Sequence, residues 1–81
     1  MLNIKILGGG CANCQRLEAV TREVVDALGI PAEFIHVTNH DDIMKYPILA
    51  TPGLVVNEKL VSAGRIPARA EIEAWLKRAV P

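Results

Sequence analysis

From about Ala12 to Leu28 the chain reads as one amphipathic helix lodged between two short strand patterns, and that arrangement narrows the possible folds more than any other feature. Leu17, Val20, Val24, Val25 and Leu28 fall on one helical face, and Arg16, Glu18, Arg22, Glu23 and Asp26 on the other. Gly29 is a natural helix terminator, and Pro31 forbids continuation. Before the helix, Leu2, Ile4 and Ile6 alternate with Asn3 and Lys5, which predicts a strand over Leu2 to Leu7 that ends at Gly8-Gly9-Gly10. After it, Ala32 to Val37 reads as a second strand. Two strands joined through one helix should lie parallel in a common sheet.

The remainder extends the sheet. Thr38 or Asn39 caps a short helix with Asp41 and Asp42 in its first turn, where the helix dipole favours them. That helix should run to about Tyr46, because Pro47 disfavours helical geometry in the residue before it. Gly53 to Val56 and Leu60 to Ser62 are strands separated by Asn57-Glu58-Lys59, a link short enough to demand an antiparallel hairpin. Pro67 opens a last helix with Ile72, Trp75, Leu76 and Ala79 inward and Lys77 and Arg78 near its C-terminus. The order β-α-β-α-β-β-α implies an α/β fold with a four-stranded mixed sheet flanked by helices. Residues 1–81 are expected to form one domain, since 81 residues leave no room for a second. With about half the residues apolar, the core needs no metal or disulfide staple.

Nine basic and nine acidic residues cancel and are scattered, so neither a nucleic-acid stripe nor a polybasic membrane patch is expected. Apolar runs fall far short of a membrane span. Met1-Leu2-Asn3-Ile4-Lys5 leads directly into a strand pattern, with no apolar core of a signal peptide. The expected location is the cytoplasm, and the surface pattern asks for nothing beyond a monomer.

Two cysteines make up the thiol inventory, in Cys11-Ala12-Asn13-Cys14. A structural disulfide does not persist in a reducing compartment, which leaves redox or metal chemistry. The pair sits where a strand ends and a helix begins. First-turn N–H groups lack intrahelical partners and favour negative charge, so a thiolate there is stabilised. Ala12, Asn13, Cys14, Gln15 and Arg16 include no carboxylate to compete for that role; the nearest is Glu18. Cys11 at the helix mouth is therefore the expected nucleophile. Cys14, on the same face and one turn inward, is the expected resolving thiol, kept protonated by burial. Gly10, Ala12 and Asn13 flank the nucleophile as expected substrate contacts, and the bare glycine backbone either admits a substrate or simply makes a tight turn.

Leu49-Ala50-Thr51-Pro52-Gly53 precedes the hairpin. Taken with the element order, the C-x-x-C after the first strand and this Thr-Pro turn, the chain resembles the compact thioredoxin fold over essentially its whole length. It is most similar to small prokaryotic thioredoxin-like redox-active disulfide proteins with a Gly-x-Gly-Cys-x-Asn-Cys run. The resemblance implies that Cys11 is the exposed nucleophile and Cys14 the buried resolving cysteine of a redox-active disulfide, with no other cofactor. It implies that Pro52 is a cis-proline packed against that disulfide, keeping metal away. Thr51 would offer backbone groups to an extended substrate segment. The implied partners are a protein or small molecule bearing a disulfide and a thioredoxin-reductase-like or thiol electron donor. Three departures stand out. Gly10 replaces the family's usual aromatic, Ala12-Asn13 replaces Gly-Pro, and Lys5 replaces the buried acid, so a carboxylate proton acceptor near Cys14 is expected to be missing.

Other readings have less support. Copper-chaperone-like domains also place C-x-x-C after a first strand, but they carry Met where this chain has Gly9 and end on a strand where this chain has a helix. His36 and His40 have H-x3-H spacing, yet the gap from Cys14 is too long for a zinc finger, and both read as ordinary strand or surface histidines. A phosphate-binding glycine loop fails because its third glycine would fall at Asn13. Trp75 reads as core packing, and Lys5 as a solvated residue at a sheet edge. A thioredoxin-fold adapter would leave the dithiol unexplained.

Overall fold

The computed structural model describes residues 2–8, 12–48 and 50–79. The alternating N-terminal segment forms strand β1 (Leu2–Leu7), and the amphipathic stretch forms helix α1 (Ala12–Leu28). Helix α1 stops where Gly29 takes a positive φ of 65°. There the Gly29 N–H donates to the Asp26 carbonyl and the Ile30 N–H to that of Val25, which satisfies two of the last four carbonyls of the helix. The chain then turns at Pro31 into β2 (Ala32–Val37), which pairs parallel to β1 from Leu2↔Ala32 to Leu7↔Val37.

Next come helix α2 (His40–Ile43), strands β3 (Gly53–Val56) and β4 (Lys59–Ala63), and helix α3 (Arg69–Ala79). The sheet order is β2-β1-β3-β4, with β3 antiparallel to both β1 and β4. This is the four-stranded mixed sheet of the thioredoxin fold.

Pleating divides β1 between two layers. Leu2, Ile4 and Ile6 join Leu17, Val24, Val25, Leu54, Val56, Ile72 and Leu76 in a buried cluster under α1 and α3, with Trp75 packed against it. Leu7 faces the other way and meets Ile43, Ile48 and Val55 in a smaller cluster beneath α2.

Several expectations need correction. Helix α2 is a single turn that ends at Ile43, short of Tyr46; hydrogen-bonded turns carry the chain on, with Tyr46 N–H donating to the Ile43 carbonyl. Asn39 is its cap, accepting from the Asp41 and Asp42 amides. The hairpin loop is only Asn57-Glu58, and Lys59 already belongs to β4. Both loop residues have positive φ (50° and 68°), the twist that lets two residues join antiparallel strands. A bulge between Leu54 and Val55 in the β3–β4 ladder absorbs the shift in register. Helix α3 begins at Arg69, not at Pro67. The Glu71 carboxylate reaches back to the Ala68 N–H, so the cap falls one residue beyond the proline. Lys5 is not at an edge, since β1 lies between β2 and β3. It is half-buried, donates to the Tyr46 hydroxyl at 3.1 Å and pairs with Glu58.

Candidate active site

The Leu7↔Gly53 pairing brings the C-terminal end of β1 beside the N-terminal end of β3, so Gly8 and Pro52, the next residues outward, are neighbours across the sheet. Helix α1 begins over the same end. Gly8 is buried, and its N–H donates to the Val37 carbonyl at 3.0 Å, which fixes the backbone as it leaves the sheet. A Cβ at Gly8 would overlap the Cys14 Sγ and lie 3.9 Å from the Thr51 Cβ. Three segments therefore converge here: the strand end at Gly8, the first turn of α1 at Cys14, and the sequence-distant Thr51-Pro52 turn. The glycine is required by the sulfur packed on it.

Cys14 is buried and disulfide-bonded. Ala12 and Asn13 are exposed in the same turn of α1. Thr51 is exposed and Pro52 buried, the bond between them is cis, and the Pro52 carbonyl accepts from Gly64 N–H at 2.9 Å. Gly10 and Cys11 lie outside the described residues. Gly53 is less constrained than Gly8, because a Cβ there would overlap only the terminal methyl of the flexible Ile48 side chain. Ile48 thus packs down to the strand and holds the segment that leads into the turn.

Beside Cys14 is a cavity of about 40 Å³, walled by Ile6, Gly8, Cys14, Gln15, Glu18, His36 and Thr38. Glu18 follows Cys14 by one helical turn and comes to the same face. Its carboxylate is 2.7 Å from His36 Nε2 and 2.8 Å from Arg22 Nη2. Partial burial pushes the Glu18 carboxyl up, but hydrogen bonds from Arg22 and His36 outweigh it and hold the pKa below the ordinary value. The expectation that no carboxylate stands near the buried cysteine is therefore corrected. Reading α1 as a two-faced helix assigned Glu18 to the solvent face; its i, i+4 relation to Cys14 was the signal that would have found it.

His36 and His40 diverge. His36 engages Glu18 from β2, while His40 is exposed at the start of α2. Among the described residues no group of three or more His, Cys, Asp or Glu side chains is placed to hold a metal ion. No helix among them is long and apolar enough to cross a membrane.

Residues 2–77 match the thioredoxin domain family model. The chain is 45% identical over 76 residues to a thioredoxin of Methanothermobacter thermautotrophicus, covering 94% of this chain and 99% of that one. It is 35% identical over 77 residues to a thioredoxin of Methanocaldococcus jannaschii, covering 95% and 88%. With a sheet of matching order, a buried disulfide-bonded cysteine at the first turn of α1 and a Thr-Pro turn facing it, the chain belongs to the thioredoxin domain family as a thioredoxin-like small redox protein.

Proposed function

We propose that this chain is a single-domain, monomeric thiol–disulfide oxidoreductase of the cytoplasm, and that its redox-active disulfide joins Cys11 and Cys14. The observation that supports this most directly is Cys14 itself, buried and disulfide-bonded in the first turn of α1, with one other cysteine in the chain. In the reduced protein the Cys11 thiolate attacks a substrate disulfide, forms a mixed disulfide and expels one substrate thiolate. Cys14 then attacks the Cys11 sulfur, closes the intramolecular bond and releases the second substrate thiolate. The substrate chain has lost its disulfide, and the protein has lost two electrons. A separate thioredoxin-reductase-like or thiol donor returns them.

Gly10, Ala12, Asn13, Thr51 and Pro52 form the substrate-facing rim in this reading. Exposure of Ala12, Asn13 and Thr51 around a buried sulfur supports it, since a rim must admit the substrate while keeping the resolving thiol from solvent.

Thiol alkylation across a graded dithiothreitol or glutathione buffer tests the proposal. The expected result is one reversible two-electron transition between about −200 and −300 mV, with Cys11 the more readily alkylated thiol. Cys14→Ser should trap a mixed disulfide on Cys11. A pair that does not oxidise reversibly, or that stoichiometric Cu(I) or Zn(II) shields from alkylation, would overturn the reading in favour of metal handling.

A further inference from the structure

A buried thiol attacks only after it loses its proton, and a charge formed out of water is costly unless the proton has somewhere close to go. Cys14 is in that position, and its surroundings grade from dry to wet in one direction. The cysteine is 4% exposed. The Glu18 side chain, which shares its cavity, is 18% exposed, and the His36 side chain bonded to Glu18 is 55% exposed. The intervening cavity of about 40 Å³ exceeds the ~10–15 Å³ that one water needs. Its polar walls come from Glu18, His36, Gln15 and Thr38.

We infer that Glu18 and His36 together form the route by which the Cys14 thiol exchanges its proton with solvent, and that this pair sets the rate of the resolving step. The inference rests on the dithiol reading above. In the resolving step the Cys14 S–H bond breaks and its proton passes through cavity water to His36 Nδ1, the ring nitrogen that does not bind Glu18. The Cys14 sulfur then bonds to the Cys11 sulfur, and the Cys11–substrate S–S bond breaks with its electron pair leaving on the substrate thiolate. The proton rests on His36 as imidazolium, stabilised by the Glu18 carboxylate, and leaves to solvent from the exposed ring. Imidazole suits the role because one ring nitrogen can take up a proton while the other keeps its N–H on the carboxylate.

The charged and titratable groups around the pair are few. On α1, Arg22 binds the other Glu18 oxygen and lies 4.3 Å from the centre of the Phe34 ring. On its far side His36 shares a groove with Lys5 of β1 and with Asp42, Lys45 and Tyr46 around α2. Of these, Lys45 is 3.0 Å from Asp42, and Lys5 is bonded to Tyr46 and Glu58. Arg22 and His36 thus engage Glu18 from α1 and from β2, and Glu18 is the acid shared with the Cys14 cavity.

Stopped-flow reaction of the reduced full chain with 5,5′-dithiobis(2-nitrobenzoate) separates the two chemical steps. Release of the first thionitrobenzoate is bimolecular and reports Cys11. Release of the second does not depend on reagent concentration and reports Cys14. Glu18→Gln is expected to slow the second phase at pH 7 by about tenfold or more, toward the ~10²-fold typical of a lost proton acceptor, and to leave the first phase unchanged. Glu18→Asp should recover part of the rate. His36→Gln should likewise slow the second phase and leave the first unchanged. Glu23→Gln, a like change on α1 at a residue paired instead with Arg69, should leave both phases as they are. Wild-type rates in both Glu18→Gln and His36→Gln would overturn the inference, as would equal slowing of both phases. Failure of Cys14→Ser to abolish the second phase would instead overturn the dithiol reading.

Discussion

The two faces of the sheet are built to different standards. Under α1 and α3 the contact is wide and almost entirely apolar, with Ile4, Leu17, Leu54, Ile72 and Leu76 all sealed from solvent and the buried Thr21 hydroxyl satisfied by the Leu17 carbonyl. Under α2 the cover is one helical turn and a loop, and the apolar cluster shrinks to Leu7, Ile43, Ile48 and Val55. The gap at its margin is spanned by polar groups: Lys5 donates to Tyr46, whose hydroxyl donates to Glu58 at 3.2 Å. Gly8 and Cys14 lie where the two faces meet at the end of β1. A redox site in that position has a rigid floor on one side, while on the other it has a thin cover from which the Thr51-Pro52 turn hangs. Stability should therefore be concentrated under α1 and α3, and local opening under α2.

Truncating one buried side chain on each face gives the largest effect. Leu17→Ala should lower the unfolding free energy by about 3–4 kcal/mol, since a sealed leucine leaves both lost transfer energy and a cavity. Ile43→Ala, at a slightly exposed site whose thin cover can collapse, should cost about 2 kcal/mol. Urea unfolding of the two variants measures the difference. Equal losses would break the comparison.

Gly8→Ala comes next, and it probes the junction. The added methyl meets the Cys14 sulfur, and the backbone cannot withdraw because the Gly8 N–H is tied to Val37. Overpacking of this kind costs about 1–3 kcal/mol. The oxidised variant should lose about that much unfolding free energy and melt below the wild type, and a wild-type melting temperature would mean that the strand end is looser than its hydrogen bond implies.

These contrasts also show what the sequence could and could not convey. Local patterns carried the α1/α3 face: the alternation in β1, the helical stripe from Leu17 to Leu28 and the Gly29–Pro31 stop all describe residues close together in the chain. They likewise marked the cysteine pair, because two residues fix its spacing. The failures needed knowledge of neighbours. Lys5 read as an edge residue because nothing local says that β3 inserts on the far side of β1. Gly8 read as a turn because the sulfur that forbids a side chain there belongs to another element. Glu18 read as surface because its partner His36 comes from β2. Helix α3 began late because Glu71 and Arg65, not Pro67, decide where it is capped.

Helix α2 offers a smaller test of the thin cover. Asn39 accepts from the Asp41 amide at 2.9 Å and the Asp42 amide at 3.4 Å. Asn39→Ala should cost about 0.5–1 kcal/mol globally, because a cap on an exposed helix end contributes little. Amide exchange should show more: the turn at Ile43 and Met44 should lose protection in the variant, while α1 and α3 keep theirs. Loss spread evenly over the whole sheet would mean that α2 unfolds only with the rest of the molecule.

The smallest expected effect belongs to the polar margin, and its sign follows from the ionisations. Glu58 is held below the ordinary carboxylate value, chiefly by its hydrogen bond with Lys5 and against the desolvation that raises it. Its contribution is present above the unfolded carboxyl pKa and disappears as pH falls through the folded value. Lys5 is raised, chiefly by its hydrogen bond with Glu58 and then by that with Tyr46, so its contribution is present below the unfolded lysine pKa and disappears as pH rises through the folded one. Between those limits Glu58→Gln should be slightly less stable than the wild type, and the two should converge in acid. Glu18 and Glu71, also held low by their partners, add to the acid slope of both proteins and cancel in the difference. Melting temperatures of the pair from pH 2 to 8 measure that difference. If it persists at low pH, the role of Glu58 lies in the positive-φ turn it shares with Asn57, and the α2 face is held by its apolar cluster alone.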